Sequence, residues 1–128
     1  MKIKLHVILG LCLLLFNACS NQTTQDSSGV TLDYLTALAS KDKVILTNLS
    51  CKLWEEQAVL EADALLSVGA ALNNVQCQVA GEEDNFQLVK CSGSLDLTYN
   101  DEIRSIDLSL RTYYMAIEDG QWRVCSYK

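Results

Sequence analysis

The chain has no proline, only one histidine, and no pair of cysteines in C-x-x-C spacing. Without proline, nothing interrupts a backbone that needs every N–H for a sheet ladder, so long unbroken strands are permitted. The one histidine, His6, sits in the first ten residues. The rest of the chain therefore lacks the commonest general base, the commonest metal ligand and the third member of Ser-His-Asp or Cys-His systems. Any catalysis would have to run on carboxylates, tyrosines or lysines. Positive charge is also scarce, with ten Lys and Arg against sixteen Asp and Glu. Phosphate backbones and anionic headgroups repel such a surface, which excludes nucleic acid as a partner. The longest apolar run, Leu5 to Phe16, is twelve residues. That is well short of the ~20 a membrane-spanning helix needs.

That run is what the amino terminus does have. Lys2 and Lys4 precede it and Asn17-Ala18-Cys19 closes it, the charge-then-apolar order of a secretory signal. The ending resembles the cleavage box of bacterial lipoproteins, in which the cysteine after a small residue is lipidated and becomes the first residue. The alternative is simple secretion, for which Phe16 is too large to serve as the small residue of an A-x-A site. The expected organisation is a lipoprotein signal peptide at 1–18, a lipidated Cys19 with a flexible tether at 19–28, and one domain at 29–128. Loss of Lys2 and Lys4 takes the formal charge from −6 to −8, eight Lys and Arg against sixteen Asp and Glu. The membrane would then be reached through the lipid (palmitate and a second acyl chain), since one chain alone anchors poorly. The polar stretch Ser20–Ser28 extends to at most ~30 Å, which keeps the domain close to a bacterial cell envelope membrane.

Beyond Cys12 and Cys19 four cysteines remain, Cys51, Cys77, Cys91 and Cys125. In an exported domain these read as two disulfides. Their spacings of 26, 14 and 34 residues offer no zinc-type close pair, so no metal site and no cofactor is expected.

The periodicity divides the domain into helices first and strands after. Val30, Tyr34, Ala37, Leu38 and Lys41 share one side of a helix, with Ser28 as its N-cap. A short second helix covers 44–49. A third carries Trp54, Ala58, Ala62 and Leu65 on its apolar stripe, with Glu55, Glu56 and Glu61 as a solvated flank. Residues 63–73 either end that helix or begin a strand. From there the period becomes two. Val75, Cys77 and Val79 alternate with glutamines. Val89, Cys91, Gly93, Leu95, Leu97 and Tyr99 make one face of a long strand, and Ile106, Leu108, Leu110, Thr112 and Tyr114 the face of another. Trp122–Tyr127 is the last. The fold class is α+β, N-terminal helices packed against a curved antiparallel sheet of four or more strands, cone-like.

Turn chemistry sets the registers. With Asn100-Asp101 as a two-residue turn, Leu95 faces Ile106 and Gly93 faces Leu108. Around the loop Gly81–Asn85, Cys77 and Cys91 fall opposite each other, within disulfide reach. Elimination leaves Cys51–Cys125. Around Asp119-Gly120, Val124 faces Met115, on the opposite parity from Leu108 and Leu110. Either that strand carries a bulge or both faces of its far end are covered.

Helices followed by a meander that closes on Asp119-Gly120-Gln121-Trp122-Arg123-Val124-Cys125, together with Asp33-Tyr34-Leu35-Thr36-Ala37-Leu38 and Asp42, resemble the nuclear-transport-factor-2-like (cystatin-like cone) superfamily. Within it, the likeness is to small four-cysteine bacterial lipoproteins. The resemblance implies a sheet wrapped around helices, often over an apolar pocket that some members use as an isomerase- or dehydratase-type active site with an Asp base and a Tyr or Asp acid. In this chain Asp96 and Asp107 fall on the polar faces, so no inward carboxylate is expected and catalytic residues are none. Tyr34, Tyr99 and Tyr114 are the candidate pocket residues, with hydroxyls to offer a small apolar ligand. The expected function is a non-catalytic, membrane-tethered extracytoplasmic binding or interaction module, acting through such a pocket or by docking an envelope protein on an outer sheet face or edge. The alternative is a small-molecule isomerase or dehydratase using the cone pocket.

Overall fold

A computed structural model describes residues 25–128. The signal peptide, Cys19 and most of the tether lie outside the described residues.

Helix α1 spans Ser27–Ser40. Its N-cap is Asp26, whose carboxylate accepts the Gly29 N–H at 2.8 Å, two residues earlier than the expected Ser28. The reason is local: an ionised carboxylate caps an orphan N–H better than a hydroxyl, and the Ser28 hydroxyl itself donates to Asp26. Ser27 and Ser28, assigned to the tether by the sequence reading, thus belong to the helix, and Ser27 is fully buried. Lys41, in left-handed conformation, ends α1, and Asp42 caps helix α2 (Lys43–Asn48) through the Ile45 N–H at 3.0 Å. A 3₁₀ turn, Lys52–Trp54, leads into helix α3 (Glu55–Ala64), where Ala58 and Ala62 are fully buried.

The strands are β1 (Gly69–Glu83), β2 (Phe86–Tyr99), β3 (Glu102–Asp107), β4 (Thr112–Glu118) and β5 (Gln121–Tyr127). They form one five-stranded antiparallel sheet in the order β1-β2-β4-β5, with β3 also paired to β2. The ambiguous stretch resolves with α3 ending at Ala64 and β1 starting at Gly69. Helices pack on one face of the sheet. The core joins Val30, Tyr34, Leu35 and Leu38 of α1 to Val89, Leu95, Leu108, Tyr113, Met115 and Val124. Among the described residues no helix is long and apolar enough to cross a membrane.

The Asn100-Asp101 register is as expected, with Leu95 opposite Ile106 and Tyr99 opposite Glu102. Both turn residues have positive φ, 47° and 64°, the backbone of a tight hairpin whose twist matches its strands. Cys77 stands opposite Cys91, but by a different route from the expected loop. The turn is only Asp84-Asn85, and a bulge between Val79 and Gly81 absorbs the extra residue. A second bulge, between Asn73 and Gln76, sits against Gly93. Here φ is +88°, and a Cβ would lie 2.5 Å from the Asn74 carbonyl oxygen. Only glycine lets β1 fold over β2 at this point.

One expectation is corrected. Ile106 to Tyr114 is not a single strand. Leu108–Leu110 forms a 3₁₀ turn, with Asp107 accepting the Ser109 N–H at 2.9 Å. Leu108 stays buried, but Leu110 is 79% exposed and the alternation restarts one residue out of phase. Tyr113 and Met115 therefore face the core in place of Thr112 and Tyr114. Gly93 and Leu108 are not strand partners, because β3 stops at Asp107 opposite Ser94. A bulge between Tyr114 and Met115 then lets β5 follow.

Two disulfides, Cys51–Cys125 and Cys77–Cys91, close the fold, with Cα atoms 4.8 and 4.0 Å apart. The first ties the chain entering α3 to β5, where the Cys51 N–H also donates to Val124 O at 2.8 Å. Two structural disulfides suit an oxidising, extracytoplasmic compartment.

Gly93→Ala should lower stability by about 2 kcal/mol or more, from the clash and the left-handed backbone together. A urea denaturation midpoint equal to that of the parent would contradict this account of the bulge. Removing Cys51–Cys125 by paired substitution should cost more than removing Cys77–Cys91, about 4.5 against about 3 kcal/mol by loop entropy. Non-reducing peptide mapping would expose any other pairing.

Candidate functional site

The three tyrosines named from the sequence go to three different places. Tyr34 is fully buried in the core on α1. Tyr99 is 59% exposed at the end of β2. Tyr114 lies on the face of β4 away from the core, where its hydroxyl donates to Glu83 at 2.9 Å and the Lys128 ammonium lies 4.8 Å from its ring centre. The structure does not bring them together into one pocket, because the 3₁₀ turn reverses which of Tyr113 and Tyr114 points inward.

What does assemble is a polar cluster between the helices and the C-terminal strands. Trp54 donates its indole N–H to the Tyr34 hydroxyl at 3.1 Å, and that hydroxyl donates in turn to Glu61 Oε2 at 3.4 Å. Tyr127 closes the other side. Its ring stands edge-on to Trp54 with centroids 5.8 Å apart, lies 5.6 Å from Tyr113, and carries the Arg111 guanidinium 4.4 Å from its centre. Glu61 Oε1 and the Tyr113 hydroxyl, both buried, find no hydrogen-bond partner.

This corrects the sequence reading of Glu61. It was placed on the solvated flank of α3, and it is half-buried instead. A signal for this was available. Glu61 lies seven residues, two helical turns, beyond Trp54 and so falls within the same stripe as Ala58, Ala62 and Leu65. Its charge alone suggested solvent. Arg111, Tyr113 and Tyr127 gave no comparable signal, since their convergence depends on the parity change after Leu108–Leu110.

Burial pushes the Glu61 carboxyl up from its ordinary 4.5, against the opposing pull of the Tyr127 hydroxyl, Arg111, Gln57 and Tyr34. Burial likewise raises the phenols of Tyr34, Tyr113 and Tyr127, with the Glu61 charge adding to each. All three therefore stay protonated near neutrality. Chemically, the cluster offers a carboxyl that takes up a proton more readily than usual beside hydroxyl donors. The two aspartates read as outward behave differently. Asp96 accepts from Ser105 at 2.6 Å, Ser94 at 2.8 Å and Asn73 at 3.2 Å, which holds its carboxyl below the usual range. Asp107 is held low in the same way by Ser109.

Two clefts flank α2 on the outer side of the helical layer. One, of about 340 Å³, lies between α2 and α3 and is lined by Thr47, Glu55, Glu56, Val59 and Leu60. The other, of about 260 Å³, lies between α1 and α2 and is lined by residues that include Asp33, Ala37, Ile45 and Leu49. Neither reaches Glu61. Among the described residues no cluster of His, Cys, Asp and Glu could hold a metal ion.

No protein-family model matches this chain, and no curated protein matches it in sequence. Solved structures do resemble it in fold. Over 83% of this chain and 82% of the other, it superposes with TM-score 0.52 and 9% identity on RPA3114, a SEC-C motif containing protein from Rhodopseudomonas palustris. Over 78% of this chain it superposes with TM-score 0.51 and 8% identity on the helical cell shape determining protein Pgp2 from Campylobacter jejuni. The match spans only 38% of Pgp2. At such identities the likeness concerns the fold alone.

The raised Glu61 carboxyl has a consequence for stability. Between the unfolded and folded pKa the native state binds the extra proton, so stability is fully present below 4.5 and declines as pH rises through the higher folded value. Glu61→Gln keeps an acceptor for Tyr34 and removes the charge. Thermal melts should show the variant gaining on the parent as pH rises from the acid side to neutrality. Because Glu61 keeps partial contact with water, the gain should be no more than on the order of 1 kcal/mol. A parent whose stability rises over that interval relative to Glu61→Gln would contradict the assignment.

Proposed function

We propose that this chain is a membrane-tethered extracytoplasmic lipoprotein of the nuclear-transport-factor-2-like type, anchored through Cys19, whose domain binds a partner and does not catalyse. One observation carries the reading. The inner face of the sheet is filled by the protein's own core, with Tyr34, Leu35, Tyr113 and Met115 fully buried, while large apolar side chains stand exposed along the helical layer. Five of the ten large apolar side chains exposed among the described residues form that set. They are Val44 and Ile45 on α2, Leu53 on the 3₁₀ turn (98% exposed), and Leu60 and Leu66 on and after α3; Ile45 and Leu60 line the clefts. Apolar side chains grouped in water beside clefts are one mark of an interaction surface.

The charge around those clefts supports a basic partner. Asp33, Glu55, Glu56 and Asp63 outnumber Lys43 and Lys52, and both lysines are already ion-paired, with Asp63 and Glu55. The surface therefore suits an envelope protein that presents apolar side chains flanked by Lys or Arg. The oxidising compartment implied by the disulfides and the short tether favour a partner at the membrane. The reading invokes no nucleic acid and no cofactor.

The isomerase- or dehydratase-type alternative is favoured by Glu61, a carboxyl that burial raises, beside the Tyr34 hydroxyl. Turnover of any small substrate that disappeared in Glu61→Gln would replace the binding reading with this one.

Lipidation is tested by intact mass and detergent partitioning: Cys19→Ala should leave the membrane fraction, and undiminished membrane association would refute the anchor. Docking is tested on that soluble form. Val44→Lys and Leu60→Lys should each abolish co-purification of the envelope partner while changing the melting behaviour little, since exposed substitutions stay within about 0.5 kcal/mol. Unchanged capture by both variants would move the binding surface elsewhere.

A further inference from the structure

On the sheet, away from the docking face, a cleft of about 330 Å³ is lined by Gln76, Gln78, Lys90, Ser92 and Ser109 around the Cys77–Cys91 pair. It lies where the sheet has a gap. One edge of β2 pairs with β4 through Lys90 and with β3 from Ser94, so Cys91–Gly93 have no strand partner on that side. The chain crosses the gap as the 3₁₀ turn Leu108–Leu110, which brings Ser109 to the rim. The five polar side chains are all exposed.

Their chemistry is unusual for this chain. Carboxylates outnumber cations sixteen to ten overall, yet none lines the cleft. The nearest in sequence, Asp107, is occupied by the N–H and hydroxyl of Ser109 at 2.9 and 2.7 Å. Of the other cations among the described residues, five are engaged; Arg104 and Arg123 are not, but neither lines the cleft. Lys43 and Lys52 are ion-paired, Lys41 donates to Val68 O, and Arg111 and Lys128 lie over aromatic rings. Among the described residues Lys90 has no ion-pair or hydrogen-bond partner. The cleft thus offers one free ammonium among groups that both donate and accept. Two are amides. The third, the Ser92 hydroxyl, makes only a long 3.5 Å contact to Gln76 O. An ammonium matches a carboxylate, and amides and hydroxyls match the hydroxyls of a polyol.

We propose that this cleft binds a small hydroxylated carboxylate of the sugar-acid class, with Lys90 on the carboxylate and Gln76, Gln78 and Ser92 on the hydroxyls. It is independent of the docking surface on the helices, and either can fail without the other.

The probe is glucuronate, titrated into the ¹⁵N-labelled, disulfide-bonded Cys19→Ala chain, with glucose and inorganic phosphate as matched controls. Saturable shifts of the Gln76, Gln78 and Ser92 amides are expected with glucuronate. Affinity should be at least about tenfold weaker for glucose and for phosphate, and at least about tenfold weaker for glucuronate in Lys90→Gln. Lys90 is exposed, so that variant should fold. Equal binding of glucose would remove the role of the ammonium, and equal binding of phosphate would reduce the cleft to a bare anion site. Shifts elsewhere, no saturation, or indifference to Lys90→Gln would each overturn the proposal.

Discussion

β2 is paired to β1 on one edge and, on the other, to β4 through Lys90 and to β3 from Ser94, with Cys91–Gly93 left without a strand partner between them. A strand of fourteen residues serves two partners on one edge only if the chain leaves that edge between them. The 3₁₀ turn at Leu108–Leu110 is that departure, and Gly93 is its counterpart on β2, with the β1 bulge folded against it. Both irregularities sit at the same level of the sheet. They give it local curvature, and three consequences follow from them: which tyrosine enters the core, where a gap opens for a polar cleft, and how β5 comes within reach of Cys51.

The polar cluster shows the cost of that arrangement. Turning Tyr113 inward places a phenol in the core with no partner for its hydroxyl, next to a carboxyl with one oxygen also unmatched. Each such group costs on the order of 1–3 kcal/mol when left unpaired in the interior. Part of that cost is relieved by the Trp54–Tyr34–Glu61 chain of hydrogen bonds and by the Arg111 guanidinium stacked on Tyr127. Burial also raises the Glu61 carboxyl above its ordinary range. The Cys51–Cys125 disulfide joins the chain just before Trp54 to the strand that carries Tyr127.

Much of the fold was legible in the residues. The three helices declared themselves by apolar spacing, although Asp26 and not Ser28 caps the first, and two hairpins were set by Asn100-Asp101 and Asp119-Gly120, whose residues tolerate positive φ. The pairing of Cys77 with Cys91 followed from hairpin arithmetic, although the true loop is shorter and a bulge makes up the difference. The candidate tyrosine pocket was not legible. Leu108 and Leu110 continue the strand alternation without a break, and only Asp107 followed by Ser109, a side chain placed to cap a turn, hints that the strand ends there. Glu61 falls on the apolar stripe of α3 by position, and only its charge points to solvent.

Sequence by itself determined the α+β order, the registers next to the tight turns and the Cys77–Cys91 pair, because these depend on interactions between residues close along the chain or joined by one turn; Cys51–Cys125, 74 residues apart, followed only by elimination. Tertiary structure alone decided that Tyr113 is buried and Tyr114 is not, that Glu61 lies beside Tyr34, and that Lys90 stands free in a cleft without carboxylates. Each of these is a matter of side-chain parity after an irregular turn, or of contact between segments far apart in sequence. A one-residue shift in a strand moves every later side chain to the opposite face, and here the apolar alternation through Leu108 and Leu110 hides where it occurs.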